Sequence, residues 1–141
     1  MKVIVVSGAR SKIGKTALSR ALCGLLPGAV RIKIGHGTAK QGDDGFFYHA
    51  GTLFKTIAAE HGSASYLVIE SNSILKQIVP DCTIYLPADN PKPSAIPARE
   101  KADILRGEFL SEEKVLQLEK RLGCGEATIR RIAELANARV E

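Results

Sequence analysis

The sequence has no long apolar run, and this absence excludes a membrane-spanning helix. Its apolar stretches are short, as in Val3–Val6, and none approaches the ~18 residues that cross a bilayer. Its three cysteines, Cys23, Cys82 and Cys124, lie far apart without a Cys-x-x-Cys pair, which argues against a disulfide framework or a zinc knuckle. No repeat is visible at a period of roughly 20–50 residues. These absences predict a soluble cytoplasmic protein with reduced thiols and no membrane partner.

The charge is unevenly distributed along the 141 residues. Lysine and arginine exceed aspartate and glutamate by 11 to 6 in residues 1–97, whereas residues 98–141 hold 9 of each. An excess of basic residues suits either nucleic acid or the phosphates of a nucleotide. Because the motifs described below favour phosphates, nucleic acid is the less favoured partner.

Short apolar runs alternate with helical periods, which predicts an α/β fold. Strands are predicted at 2–7, 29–34, 66–69 and 83–86, with helical periods over 14–26 and from Phe46 to Ala58. We therefore expect a three-layer α/β fold with a mostly parallel sheet, whose ligand lies beyond the carboxyl ends of the strands. Those ends are Ser7, Ile34, Glu70 and Leu86.

The chain changes character after Pro97. The pattern predicts a helix over 98–105. A second helix is predicted with Ser111 as its N-cap and its end at Gly123, and a third over 127–138. We expect two parts: a core over 1–97 and a C-terminal helical extension over 98–141.

A glycine-containing loop lies between the first strand and the first helix. This context is typical of a P-loop, in which backbone N–H groups and a helix N-terminus surround a phosphate. Lys15 is expected to contact the β- and γ-phosphates, and the Thr16 hydroxyl to ligate Mg²⁺. The alternative is a strand–turn–helix with a chance Gly-Lys-Thr. The predicted nucleotide-binding residues of the loop are Gly8, Ala9, Arg10, Ser11, Lys12, Ile13, Gly14, Lys15 and Thr16.

The loop is one residue longer than the plain motif. Five residues separate Gly8 from Gly14, and with the usual four Ala9 would replace the leading glycine. This spacing resembles dethiobiotin synthetase and related members of the SIMIBI class of P-loop NTPases. The resemblance implies a three-layer P-loop NTPase fold in which residues 1–97 form the nucleotide-binding core. The resemblance implies that Arg10 reaches the phosphates of a partner subunit, although an exposed loop arginine explains it equally well.

A second set of residues narrows the resemblance. Positions after the second strand match Lys-Pro-Gly-Lys-Asp and Ala-Gly segments of the molybdopterin-guanine dinucleotide biosynthesis protein B family, which the chain resembles over roughly residues 1–90. The matching residues are Lys40, Gly42, Asp44, Ala50 and Gly51. The family's next strand ends in Val-Glu-Gly-Phe-Lys, and Val68-Ile-Glu70-Ser-Asn72 keeps only its glutamate. The resemblance implies a homodimer that hydrolyses nucleotide slowly and acts through a molybdopterin-handling partner protein.

Acidic residues near the predicted ligand edge suit Mg²⁺, which takes carboxylate, phosphate and water oxygens. Asp44 is predicted to ligate the metal and assist catalysis, although a lone loop aspartate can simply form a turn. Glu70 occupies the place of a Walker B acid and is predicted to hold a metal-bound water or to orient the attacking one. The alternative for Glu70 is a cap on the turn over 71–77.

Four further side chains are weaker candidates. Lys33 and Lys40 could bind a second anion, as the resemblance implies for a pterin phosphate, or be solvated. His36, between glycines, could contact phosphate, whereas His49 is placed on a helix face as a structural residue.

Asn90 and Lys92 follow the fourth strand, where proteins of this class hold the purine. They have the residue types of the guanine-binding motif without its order, so GTP and ATP both stay open.

Three functions compete. The first is a nucleotide-binding accessory protein of molybdenum-cofactor biosynthesis, and the second is a small-molecule kinase or ligase of the dethiobiotin synthetase type. The third is a nucleotide-gated DNA-binding regulator that reads DNA with Thr128, Arg130 and Arg131. Because residues 98–141 are neutral overall, we favour a helical cover over a DNA reader.

Overall fold

A six-stranded parallel sheet organises the protein in the computed structural model, which describes residues 1–35 and 45–138. Short runs rich in β-branched and aromatic residues form its strands. In chain order they are β1 (Lys2–Gly8), β2 (Ala29–Gly35), β3 (Phe46–His49), β4 (Tyr66–Glu70), β5 (Cys82–Leu86) and β6 (Ile104–Leu105).

Helices connect most of these strands and continue past the last one. They are α1 (Lys15–Leu25), α2 (Phe54–Glu60), α3 (Ala95–Glu100), α4 (Glu112–Leu122) and α5 (Glu126–Asn137), with a single 3-10 turn at Ser73–Lys76. Crossovers of this kind are what parallel neighbours require.

The strand order is β3-β2-β4-β1-β5-β6, and each described pair is parallel. Strand β1 lies in the middle, with Val5 opposite Ile69 of β4 on one side and Thr83 of β5 on the other. Because all six strands run the same way, their carboxyl ends share one edge of the sheet. The predicted α/β class and the common edge for the four strand ends are confirmed.

The sheet is covered on both faces, which gives three layers. Along β1, Ile4 and Val6 belong to an apolar cluster with α1, α4 and α5, while Val3 and Val5 belong to a second cluster with α2, the 3-10 turn and α3. This alternation follows from the two-residue period of a strand. Side chains buried on both faces explain the nearly continuous apolar sequence of β1.

Residues 46–49 form a strand, so the predicted helical period starting at Phe46 is wrong for its first residues. Aromatic side chains favour extended backbone, and the run pairs with β2 from Ile32 opposite Phe46. Gly51, at φ 89°, ends the segment in a conformation that favours glycine, and the helix begins only at Phe54.

The predicted helix over 98–105 is also wrong. Helix α3 begins earlier, at Ala95, because Pro97 lies in its first turn, where a missing N–H costs nothing. Residues 104–105 instead form β6, which pairs with β5 and extends the sheet. The sheet therefore continues beyond the predicted boundary at residue 97.

The last two helices agree with their predicted positions. The Ser111 hydroxyl accepts a hydrogen bond from Lys114 N and caps α4, which ends at Gly123 with φ 65°. Leu118 of α4 and Ile132 of α5 are fully buried in the cluster that also holds Leu22 of α1. The two helices thus form part of the layer that covers one sheet face.

Cys82 is a free thiol and is completely buried in β5. Burial raises the pKa of the Cys82 thiol well above its ordinary value. Among the helices of residues 1–35 and 45–138, each is too short or too polar to cross a membrane.

Candidate functional site

A loop of residues 9–14 joins β1 to α1 at the carboxyl edge of the sheet, as the sequence predicts. Two of its residues have left-handed backbone, Lys12 at φ 60° and Gly14 at φ 102°. Gly14 is the N-cap of α1 and has no side chain that could accept from the first helical N–H groups. The loop and the N-terminus of α1 therefore present backbone donors of the kind that bind anions.

The end of β1 is fixed by the turn that follows β4. Asn72 Oδ1 accepts from Gly8 N at 3.0 Å, and Asn72 Nδ2 donates to the Gly8 carbonyl at 2.9 Å. This residue was interpreted from the sequence only as a departure from the family pattern. Its signal was an amide side chain two positions after Glu70, at the predicted ligand edge.

The segment after β5 holds the loop from the other side. Ala9 N donates to the Leu86 carbonyl at 3.0 Å, and Lys92 N donates to the Ala9 carbonyl at 2.7 Å. Lys92 Nζ also donates to Ser11 Oγ at 3.1 Å. The structure thus brings the predicted Lys92 onto the loop, while Asn90 is exposed with φ 54°.

A third contact comes from beyond β6. Arg106 Nη1 donates to the Ile13 carbonyl at 3.2 Å, and the guanidinium lies beside Gly14. The sequence did not single out Arg106, because its partner in the loop is 93 residues away. Three segments outside the motif therefore fix the loop's backbone.

Lys15 and Thr16 begin α1 beside the end of β4. Thr16 Oγ1 donates to Glu70 Oε2 at 3.1 Å. Lys15 is partly buried, and this desolvation lowers the pKa of its ammonium, as do the positive charges of Lys92 and Lys33, while the negative charge of Glu70 opposes the shift. The structure thus places Lys33 near enough to influence Lys15 and joins Lys15, Thr16 and Glu70 in one site.

Glu70 is only 3% exposed and is held by three donors. Besides Thr16, Ser19 Oγ donates to Oε1 at 2.5 Å and Arg31 Nη1 donates to the same oxygen at 2.9 Å. Arg31 is also only 4% exposed, so the two form a buried ion pair. The sequence signal for Arg31 was a charged residue within the otherwise mostly apolar strand β2, which also contains Lys33.

The alternative role of Glu70 as a cap is not what the structure shows. Ser71 Oγ accepts from Ile74 N and caps the following turn, while the Glu70 carboxylate lies against α1 and β2.

The oxygens at this position fit a hard divalent cation. The Thr16 hydroxyl donates its hydrogen to Glu70 Oε2, which leaves the lone pairs of the hydroxyl available to a metal. In residues 1–35 and 45–138, three or more His, Cys, Asp or Glu side chains do not cluster as a metal-holding group. Mg²⁺ would therefore need phosphate and water oxygens as well, as it usually does.

The remaining predicted residues fall into two groups. His36, Lys40 and Asp44 lie outside the described residues. His49 is exposed on β3, so its predicted place on a helix face is wrong. Arg10 is exposed on the loop.

Comparison of the chain with protein-family models, with curated proteins and with solved structures returns no match in any of the three.

Proposed function

We propose that this chain binds a nucleoside triphosphate with Mg²⁺ at the loop over residues 8–16 and hydrolyses it slowly. One observation carries the proposal: the loop between β1 and α1 places Lys15 and Thr16 beside the buried carboxylate of Glu70. Backbone donors, a cation and a carboxylate-linked hydroxyl at one helix N-terminus are the chemistry that a magnesium triphosphate requires.

Each residue has a separate role in this proposal. Lys15 binds the terminal phosphates. Their negative charge would stabilise the ammonium, whose pKa is lowered by partial burial. Thr16 ligates the cation through its lone pairs, and Glu70 orients water on it. The metal supplies neutralisation of phosphate charge when bound.

Slow turnover follows from how Glu70 is held. Its Oε1 already accepts from Ser19 and Arg31, and its Oε2 accepts from Thr16. A carboxylate with three donors has little remaining capacity to take a proton from an attacking water. The arrangement suits a protein that retains nucleotide better than one with rapid turnover.

The biological role is proposed from the sequence resemblance: an accessory protein of molybdopterin guanine dinucleotide biosynthesis that acts through a molybdopterin-handling partner protein.

Isothermal titration with non-hydrolysable GTP and ATP analogues and Mg²⁺ tests the site. We expect Lys15→Ala to weaken binding by about 10- to 100-fold, since it removes a charge-assisted contact to phosphate. Lys120→Ala is the matched control, because this exposed lysine lies on α4 away from the loop. Unchanged affinity in Lys15→Ala would overturn the assignment of the site.

The same titration separates the functional classes. A preference for GTP supports the molybdenum-cofactor role, whereas a preference for ATP favours the kinase or ligase type. Binding of neither nucleotide by the wild-type protein would contradict the proposal.

A further inference from the structure

Arg106 contacts two elements that are otherwise separate in the chain. Its Nη1 donates to the Ile13 carbonyl in the phosphate loop at 3.2 Å, and its Nε donates to the Ala136 carbonyl at the end of α5 at 2.7 Å. The residue directly follows β6, at the carboxyl edge of the sheet. One rigid guanidinium therefore bridges the loop and the C-terminal helix.

The bond to Ile13 fixes the direction of a peptide group. In a trans peptide the carbonyl and the following N–H point in opposite directions, and the described chain contains no cis peptide. Holding the Ile13 carbonyl toward Arg106 therefore directs Gly14 N–H away from Arg106. Gly14 follows with φ 102°, a conformation that favours glycine. Arg106 thus sets the orientation of a backbone donor at the start of α1.

The bond to Ala136 fixes the end of α5. The last carbonyls of a helix have no intrahelical partner, and a cation there interacts favourably with the helix dipole. A second bond supports the same contact, because Gly107 N donates to Asn137 Oδ1 at 2.7 Å. Two neighbouring residues after β6 therefore dock the C-terminus of α5 beside the loop.

We propose that Arg106 is a positioning residue that couples nucleotide binding at the loop to ordering of the C-terminal end of α5. This inference rests on the proposed function and assigns to that site a regulatory output. Bound phosphate fixes the loop amides, the Ile13 carbonyl then holds Arg106, and Arg106 holds the helix end. The end of α5 is therefore the surface whose order differs between the nucleotide-bound and the nucleotide-free protein.

Hydrogen–deuterium exchange and isothermal titration on the full chain test the coupling. In the wild-type protein, a non-hydrolysable GTP or ATP analogue with Mg²⁺ should slow exchange of the amides in 9–16 and also in 134–138. Arg106→Met should weaken nucleotide binding about tenfold and abolish the protection of 134–138. Arg131→Ala is the control, since this exposed arginine pairs only locally with Glu134 on α5.

A conservative variant guards against simple misfolding. Arg106→Lys keeps the charge but has one nitrogen in place of the guanidinium fork, so it should not hold both carbonyls at once. We expect it to retain part of the affinity for nucleotide and to lose most of the nucleotide-induced slowing of exchange at 134–138. Asn137→Ala should loosen the helix end while changing affinity less than Arg106→Met does.

The outcomes distinguish this inference from the proposed function. If Arg106→Met and Arg106→Lys bind nucleotide with wild-type affinity and nucleotide still slows exchange at 134–138 in both, the coupling is overturned and nucleotide binding stands. If the wild-type protein binds neither nucleotide, the proposed function fails, and exchange without ligand decides the coupling. Joint acceleration at 9–16 and 134–138 in Arg106→Met would then support the mechanical link, and unchanged exchange would overturn it.

Discussion

Asn72 binds both backbone polar groups of Gly8, accepting from its N–H at 3.0 Å and donating to its carbonyl at 2.9 Å. Strand β4 ends at Glu70, opposite Val6, whereas β1 continues to Gly8. The Asn72 side chain therefore provides Gly8 with the hydrogen bonds that the backbone of β4 would otherwise make. Gly8, which leads into the loop over residues 9–14, is thus positioned by the fold itself, and this would lower the entropy lost on binding the proposed nucleotide.

Asn72→Ala should destabilise the fold and weaken nucleotide binding together. It leaves the Gly8 N–H and carbonyl without these partners, which costs about 1–3 kcal/mol in the free energy of unfolding. Urea denaturation and isothermal titration measure the two effects. Gln77→Ala is a matched control, because the Gln77 amide likewise accepts from Phe54 N and donates to the Thr52 carbonyl, on an exposed part of the chain. An equal loss of affinity in both variants would contradict a specific role for Asn72.

Glu70→Gln should bind nucleotide but hydrolyse it more slowly. A neutral amide orients water less well, so we expect turnover per bound nucleotide to fall roughly tenfold or more. The same change leaves the buried Arg31 guanidinium without its carboxylate and should cost about 3 kcal/mol of stability.

Single-turnover assays well below the unfolding temperature separate the two effects of Glu70→Gln. Glu100→Gln, at an exposed position on α3, is the control. Reduced stability with unchanged turnover would make Glu70 only the structural partner of Arg31.

Lys15→Met should stabilise the unliganded protein at neutral pH. Burial lowers the pKa of Lys15 in the folded state from its ordinary value of 10.5, so the unfolded chain binds more protons between the two pKa values. The free energy of unfolding therefore rises with pH through that window, and the penalty is complete below the folded pKa. We expect a gain of about 0.5–1 kcal/mol at pH 7, reduced because the group is partly solvated.

Urea denaturation at pH 7 and at pH 10 measures the effect of Lys15→Met, with Lys120→Met as the exposed control. The advantage should shrink at the higher pH. A gain that is independent of pH would show that packing, and not the charge, determines it.

Local patterns explain why much of the fold could be predicted. The continuous apolar run of Val3–Val6 in β1 and the stripe of Leu18 and Leu22 on α1 depend on neighbouring residues alone, and all of these side chains are buried. Strand β3 was assigned to a helix because its four aromatic and histidine residues precede a true helix, and only pairing with β2 identifies them as a strand. Strand β6 is two residues long and carries too little pattern to detect.

The loop over residues 9–14 could be located from the sequence because its residues are contiguous, whereas its supports could not. Asn72, Arg106 and Arg31 reach partners that are 64, 93 and 39 residues away along the chain. Each is an ordinary polar residue until the parallel sheet brings the strand ends to one edge. Sequence spacing therefore locates the loop, and the topology determines what holds it.

Arg10 provides a prediction about assembly. The resemblance implies a homodimer in which Arg10 reaches the partner's nucleotide, and the side chain is exposed as that role requires. If so, mixing Arg10→Ala with Lys15→Ala protein should restore part of the hydrolysis that each lacks, because mixed dimers contain one intact site. Sedimentation velocity with bound nucleotide is the companion measurement, and a monomer would remove any role for Arg10 in a partner.

Arg130 and Arg131 should contribute little to binding of duplex DNA. Arg130 pairs with Glu112 and Glu126 at 2.7 Å each, and Arg131 pairs with Glu134 at 2.9 Å, so these charges are already balanced on the surface of α4 and α5. The paired carboxylates compete with DNA phosphates for these guanidinium groups. Fewer counterions are therefore released from the DNA, and it is this release that drives most non-specific DNA binding.

Fluorescence anisotropy of the full chain with a labelled duplex between about 50 and 200 mM salt tests this expectation. Any weak binding should depend on Lys12, an exposed lysine of the loop over residues 9–14, and Lys12→Ala should reduce the salt dependence more than Arg130→Ala does. A larger effect of Arg130→Ala, with a steep salt slope in the wild-type protein, would instead favour a nucleotide-gated regulator that reads DNA with α5.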